Sequence, residues 1–184
     1  MITTRVPTES PDTVNVIVAL LVRFPEISSI VSRPADRTVK LSYVAGVPLD
    51  RRAQRELSTA IVEHIRTFLE LTGDEPAVLK VDCEVDGTTT FIHLTRDADS
   101  FTREELMLQI SLLTERFGEA LIKNPPPDEP IDEDPEARDE VVDCAIDVMR
   151  DPSRQKSLVG YREEKRVLVY FLKSGKKAKA SARS

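Results

Sequence analysis

The stretch AVLKVDCEVDGTTTFIHLT, residues 77–95, alternates apolar and polar side chains on both sides of an Asp-Gly pair. Alternation with a period of two is typical of a β-strand with one buried face. An Asp-Gly pair between two such runs is a strong signal for a two-residue type I′ turn. The turn Asp86-Gly87 therefore predicts a β-hairpin in which Val85 lies opposite Thr88. In this register the apolar side chains share one face, which we expect to be directed to a hydrophobic core.

The second face of this hairpin carries the candidate binding residues. It combines charged, aromatic and imidazole side chains, namely Lys80, Asp82, Glu84, Phe91 and His93. The predicted register places Lys80 opposite His93 and Asp82 opposite Phe91. Such a face is suited to binding a ligand or stacking a base. The simpler interpretation is a face exposed to solvent or covered by a second subunit.

Two helix–hairpin units are predicted before residue 100. A first helix begins after Ser10 as N-cap and runs from about residue 11 to residue 24, although its β-branched residues leave a strand open. Turn residues at 34–36 predict a hairpin after it. A second helix begins after Asp50 and ends at Gly73, which suits the left-handed position after a helix. The apolar stripe predicted for this helix comprises Ala53, Leu57, Ile61, His64, Phe68 and Leu71.

A third helix is predicted after the central hairpin. Thr102 and Glu105 have the spacing of a capping box. The apolar stripe comprises Leu106, Ile110, Leu113, Phe117 and Leu121, and further apolar residues extend it at Met107, Leu108, Leu112 and Ile122. A helix that is apolar over so wide an arc is expected to be covered on more than one side.

The acidic, proline-rich stretch 124–133 is predicted to tether a further helix–hairpin element to this body. Asp134 is the expected N-cap of its helix, whose stripe is Val141, Ala145 and Val148, and its hairpin turns near residues 163–165. One helix and one hairpin cannot bury enough apolar surface to fold alone. We therefore expect the element to dock on the body, either in its own chain or by exchange between protomers.

The predicted fold is thus α+β, with an antiparallel sheet built from helix–β-hairpin units. The predicted organisation is a body at 1–123, a tether at 124–133, a helix–hairpin module at 134–172 and a disordered basic tail at 173–184.

Charge is distributed unevenly along the C-terminal third. Residues 128–147 contain ten acidic residues and one basic residue, whereas residues 150–184 contain eleven basic and three acidic residues. The tail is suited to contacting phosphates through Lys173, Lys176, Lys177, Lys179 and Arg183. The alternatives are solubilising disorder and pairing with the acidic tether. Asp139, Asp143 and Asp147 share one helix side, where we expect solvation or salt bridges rather than a metal site.

Signatures of catalysis are absent from the sequence. It contains no phosphate-binding glycine cluster and no HExxH, CxxC or GxSxG motif, so no catalytic residue, metal or cofactor is predicted. Cys83 and Cys144 are too few for a disulfide framework, and no segment has the pattern of a signal peptide or a membrane span. We expect a cytoplasmic, non-catalytic protein-interaction or assembly protein that forms a homodimer and has no membrane contact. The alternative is an accessory RNA- or DNA-binding protein that uses the basic C-terminal segment.

Overall fold

The computed structural model describes residues 11–125, 131–153 and 156–173. These residues form an α+β fold of four α-helices and six β-strands. The helices are α1 (Pro11–Arg23), α2 (Arg51–Thr72), α3 (Arg103–Phe117) and α4 (Pro135–Arg150). The strands are β1 (Ser29–Arg33), β2 (Thr38–Ala45), β3 (Leu79–Asp86), β4 (Thr89–Asp97), β5 (Leu158–Glu163) and β6 (Arg166–Phe171). The α+β class predicted from the sequence is confirmed.

All six strands belong to one antiparallel sheet with the order β3-β4-β2-β1-β5-β6. Strand β5 pairs with β1 of the same chain, with Tyr161 opposite Ser29. The C-terminal hairpin therefore extends the sheet begun by the preceding hairpins, and β3 and β6 are its two edge strands. Exchange of this hairpin between protomers stays a prediction.

Helices pack on one face of this sheet. Gly160 of β5 lies against Ile17 of α1, the Ser58 hydroxyl of α2 lies 3.8 Å from the Cys83 thiol of β3, and Tyr43 of β2 contacts α3. Helix α4 packs on α1 and α3. Within residues 11–125, 131–153 and 156–173, no helix packs on the opposite side of the sheet, which we call the open face.

Capping side chains begin three helices where the sequence predicts them. The side chains of Asp50, Thr102 and Asp134 accept hydrogen bonds from the first-turn N–H groups of α2, α3 and α4. Gly73 ends α2 with a φ of 79°, in the left-handed region that favours glycine. The predicted N-cap Ser10 lies outside the described residues, and α1 begins at Pro11.

The predicted stripe of α2 is wrong in its C-terminal half. After Leu57 and Ile61, the buried side chains are Ile65 and Leu69, whereas His64 is exposed. Both sets fit the helical spacing from Ile61. The set with Ile65 and Leu69 is buried because burying the His64 imidazole would desolvate polar nitrogens, whereas burying Ile65 desolvates none. Leu71, at the end of the predicted stripe, is 83% exposed.

The stripes of α3 and α4 differ from their predictions in part. The residues of the predicted α3 stripe are buried, comprising Leu106, Ile110, Leu113, Phe117 and Leu121. The helix is shorter than predicted, however, because Gly118 with a φ of 54° ends α3 after Phe117, and Leu121 lies beyond it in a β-bridge with Ala45. Helices α2 and α4 both contact α3, but Met107 remains 46% exposed, so the described chain leaves one side of α3 open. In α4 the buried side chains are Val142, Ala145, Ile146 and Met149. Ala145 is buried as predicted, but Val141 and Val148 are only half-buried, so the buried side is rotated by about one residue.

The register of the central hairpin also differs from the prediction. The two loop residues are Gly87 and Thr88, so that Val85 lies opposite Thr90 rather than Thr88. Gly87 has a φ of 58°, and Thr88 does not have a positive φ. This is the pattern of a type II′ turn, which needs a positive φ at its first position only. A β-branched residue at the second position favours it, because threonine is strained at positive φ.

Candidate functional site

The five candidate residues predicted on the central hairpin share the open face. Moving the turn by one residue changes each cross-strand partner by two positions, and side chains alternate with a period of two, so their face is unchanged. Their pairing is different from the prediction. His93 lies opposite Asp82 and not Lys80, while Phe91 lies opposite Glu84 and not Asp82. The Lys80 Nζ and Asp82 Oδ2 atoms are 3.1 Å apart on the surface.

His93 is the member of this group whose side chain is fixed by a hydrogen bond to the neighbouring strand. Its Nδ1 atom lies 2.7 Å from the Ser42 hydroxyl of the neighbouring strand, and the side chain is half-buried. Burial and the nearby Lys40 lower the pKa of His93, with Glu84 and Asp82 acting in the opposite direction. The neutral imidazole is therefore favoured, and one of its nitrogens is engaged within the sheet. The Ser42 hydroxyl is a nucleophile-type group beside the imidazole, but Ser42 is buried, so the arrangement is better suited to ligand contact than to nucleophilic catalysis.

The other half of the open face is apolar. Strands β1, β5 and β6 contribute what we call the apolar block, which consists of Val31, Val159, Tyr161, Leu168 and Tyr170. The rings of Tyr161 and Tyr170 stack with centroids 5.9 Å apart, and Tyr170 is 47% exposed. The open face thus combines an apolar half at β6 with a charged half at β3.

A groove lies between α2 and the edge strand β3. Its volume is about 580 Å³, and it is lined by Arg51, Gln54, Arg55, Ser58, Thr59, Val81, Asp82 and Cys83. Burial raises the pKa of the Cys83 thiol, and Asp82 adds to this effect, although a hydrogen bond with Ser58 acts against it. The neutral thiol is therefore favoured, which makes Cys83 a poor nucleophile.

Among the residues that the structure describes, the largest buried polar cluster lies on the helix-covered face, around Arg96. Its guanidinium donates to Glu105 through Nε at 2.6 Å and through Nη2 at 2.9 Å. The remaining N–H groups contact the Val78 carbonyl, the Asp97 carboxylate and the Ser100 hydroxyl. Because its whole hydrogen-bonding capacity is used, Arg96 is bound to the protein rather than available to a ligand.

The electrostatics of this cluster agree with a structural role. Burial favours the neutral form of Glu105 and raises its pKa, whereas Arg96 and the Gln109 amide favour the carboxylate. For Arg96, burial acts to lower the pKa, but Glu105 and Asp97 raise it, so the guanidinium stays charged. The Tyr43 hydroxyl donates to Gln109 at 3.1 Å and extends the cluster to β2.

The capping box predicted at the start of α3 is therefore only half formed. Thr102 accepts from the backbone N–H of Glu105, but the Glu105 side chain turns to Arg96. The alternation of β4 is a sequence signal for this cluster. Ile92 and Leu94 alternate toward the core, and the same period places Arg96 on the buried face.

The acidic side of α4 is paired with arginines. Arg103 forms ion pairs with Asp139 and Asp143, and Arg150 lies 2.9 Å from Asp147. Among the described residues, no group of three or more His, Cys, Asp or Glu side chains is arranged to hold a metal ion. Of the predicted phosphate-contacting residues, Lys173 is exposed, whereas Lys176, Lys177, Lys179 and Arg183 lie outside the described residues.

Comparison with known proteins does not identify a relative. No protein-family model, curated protein or solved structure matches the chain. Across the described residues, none of the helices is long and apolar enough to cross a membrane.

Proposed function

We propose that the protein is a non-catalytic protein-interaction protein that works as a homodimer joined through strand β6. The observation that carries the proposal is the chemistry of this edge strand. The strand begins at Arg166 and is followed by Leu172 and Lys173, and every residue between Arg166 and Lys173 is apolar or aromatic. An edge strand without central charges is a template for pairing with another strand.

The hydrogen-bonding pattern of the C-terminal hairpin indicates which backbone N–H and C=O groups of β6 do not bond to β5. Glu163 and Arg166 close a two-residue turn, and such a closing pair is hydrogen-bonded. Hydrogen-bonded pairs then alternate along the strand, and the Leu172 N–H accordingly donates to the Ser157 carbonyl at 2.8 Å. By the same alternation, Val169 and its neighbours two positions away direct their N–H and C=O groups to the free edge.

The two edges of the sheet differ in their capacity for self-pairing. Strand β3 carries Asp82, Glu84 and Asp86 with a single lysine, so two copies of β3 side by side would bring like charges together. Strand β6 has no such protection. Antiparallel pairing of two β6 strands centred on Val169 places Leu168 of one copy opposite Tyr170 of the other. The two apolar blocks then join into one surface across the dimer.

The mass of the protein in solution tests this proposal. We expect sedimentation equilibrium of the full chain to give the mass of two chains. Changing Leu168→Lys together with Tyr170→Lys should give the mass of one chain, because lysines would then face each other across the two-fold axis.

The matched control is Val85→Lys together with Ile122→Lys, which adds the same charge at two exposed apolar positions away from β6. This control should remain a dimer. A monomeric wild-type protein would refute the homodimer. A dimer that survives the β6 substitutions but is lost in the control would place the interface elsewhere.

A further inference from the structure

We infer that the groove between α2 and β3 binds an extended peptide that adds a strand to the β3 edge and presents acidic side chains at alternate positions to Arg51 and Arg55. The inference deepens the proposed function and rests on it for the role in protein interaction, but it does not use the β6 interface.

The free backbone groups of β3 belong to the residues that line the groove. Asp86 and Thr89 close the two-residue turn of the central hairpin, and the Asp97 N–H donates to the Val78 carbonyl at 3.1 Å. Even-numbered residues of β3 therefore bond to β4. The odd-numbered residues Val81 and Cys83, whose side chains face α2, direct their N–H and C=O groups outward. A peptide strand opposite them would gain main-chain hydrogen bonds.

The groove has the size of a ligand site and an apolar floor left partly uncovered by α2. Its volume of about 580 Å³ lies within the usual range for ligand pockets, roughly 300–1,000 Å³. Val81 and Cys83 are only half-buried, and Val85 is 38% exposed. A strand added at this edge would cover these side chains, so strand addition buries apolar surface as well as pairing the backbone.

The charge of the groove selects an acidic partner. Arg51 and Arg55 lie one helical turn apart in the first half of α2, where the positive end of the helix dipole adds to their field. Neither arginine has an ion-pair or hydrogen-bond partner among the described residues, in contrast to Arg52, which pairs with Glu56 at 2.8 Å. Two arginines without partners beside a free strand edge are suited to carboxylates.

The other side of β3 restricts the partner further. A strand paired with β3 places every second side chain on the open face, beside Asp82 and Glu84. Acidic side chains there would be repelled. The preferred ligand therefore alternates acidic residues with neutral or basic ones, and a run of consecutive acidic residues is a poorer ligand.

The test is a binding titration with synthetic peptides, read by fluorescence anisotropy on the full-length protein. The probe alternates glutamate and threonine. One comparison peptide has the same composition with its glutamates consecutive, and another alternates lysine and threonine. We expect the alternating glutamate peptide to bind with a Kd on the order of 0.1 mM or tighter, and the other two to bind at least several-fold more weakly.

Two variants with equal charge change locate the site. Arg51→Gln together with Arg55→Gln should weaken binding of the alternating glutamate peptide roughly tenfold or more. Arg52→Gln together with Arg66→Gln removes the same charge from the same helix outside the groove and should leave binding within about twofold. If both variants lost the same affinity for the peptide, net charge alone would explain the effect and the inference would be overturned. The absence of binding to the wild-type protein would also overturn it.

Nuclear magnetic resonance separates this inference from the dimer. Peptide binding should shift the backbone amide signals of Val81, Cys83 and Val85 in both the wild-type protein and the Leu168→Lys, Tyr170→Lys variant. Shifts at these amides in a wild-type protein that sedimentation shows to be monomeric would keep the groove and remove the homodimer. Shifts that occur only at β6, or only in the dimer, would overturn the groove.

Discussion

Gly160 marks the closest approach between the sheet and its helices. A Cβ atom at this position would lie 2.2 Å from Cγ2 of Ile17 and 3.2 Å from Cδ1 of Leu21. Both neighbours are fully buried side chains of α1, so neither can move into solvent. The absence of a side chain at Gly160 is what lets α1 lie directly on β5.

Gly160→Ala should therefore destabilise the protein by about 1–3 kcal/mol, since added volume in a packed core forces side chains and backbone to shift. The measurement is the free energy of unfolding in urea. Gly46→Ala is the control, because the nearest atom to its Cβ position lies at an ordinary contact distance of 3.6 Å. If the two variants lost equal stability, the intrinsic cost of replacing a glycine would explain the effect, and close packing would not.

His93 should make stability depend on pH. Burial and Lys40 lower its pKa in the folded state, so below about pH 6.5 the unfolded chain binds more protons at this residue than the folded one. Its contribution to stability is then complete above about pH 6.5 and is lost as the pH falls through the folded-state pKa.

Urea unfolding of His93→Gln at about pH 7.5 and about pH 5.5 tests this expectation. The variant should lose less stability between the two pH values than the wild-type protein does. If His93→Gln had the same pH dependence as the wild-type protein, the environment of His93 in the folded state would not contribute to the pH dependence of the free energy of unfolding.

At the scale of elements, the Arg96 cluster joins strand β4 to helix α3. Arg96 and Glu105 are almost completely inaccessible, with exposed side-chain fractions of 1% and 0%. Removing one partner of a buried ion pair leaves the other charge without compensation, which typically costs about 3–5 kcal/mol. Replacing both partners with apolar side chains avoids that cost for this pair, although the Asp97 carboxylate then loses its contact with Arg96.

A double-mutant cycle on Arg96→Met and Glu105→Leu should reveal this coupling. Each single variant is expected to lose about 3–5 kcal/mol, and the double variant should lose clearly less than their sum. Glu105→Gln provides a milder variant that stays folded for the same urea measurement. The control cycle uses Arg52→Met and Glu56→Leu, an exposed pair four residues apart, with an expected coupling below about 0.5 kcal/mol. Additive losses at Arg96 and Glu105 would contradict the assigned role.

Helix and strand types were predictable because local chemistry decides them. Asp50, Thr102 and Asp134 cap helices through side chains that act within their own first turn. Which residues of a helix are buried was less predictable. At α2 helical spacing allows either His64 or Ile65 to face the sheet, and spacing alone does not include the cost of burying an imidazole.

At the scale of the whole molecule, the layout of the sheet separates two surfaces. Helices cover one face, and the two edges have different chemistry, with acidic residues alternating on β3 and apolar residues on β6. Like-charge repulsion opposes self-pairing at β3, while the neighbouring arginines of α2 favour an acidic peptide there. The proposed dimer interface and the proposed peptide groove therefore lie at opposite ends of the sheet and can be tested independently.

The candidate site was predictable only in part. The open-face position of Lys80, Asp82, Glu84, Phe91 and His93 follows from alternation along two strands, so an error of one residue in the turn did not change it. The residues that contact these five side chains could not be predicted from alternation. Ser42 contacts His93 because β2 pairs with β4. The two residues are far apart along the chain, so the sequence pattern does not predict this contact.

The amino-acid sequence by itself determined the α+β class, the capped starts of three helices and the alternation that divides each strand between two faces. These features depend on hydrogen bonds within one turn and on the period of a strand, which local residues specify. Only the tertiary structure decided that β5 joins β1, that Arg96 meets Glu105, and that Arg51 and Arg55 lie beside the free edge of β3. Those contacts join residues that are distant along the chain or on different elements, and their geometry exists only once the helices have packed on the sheet.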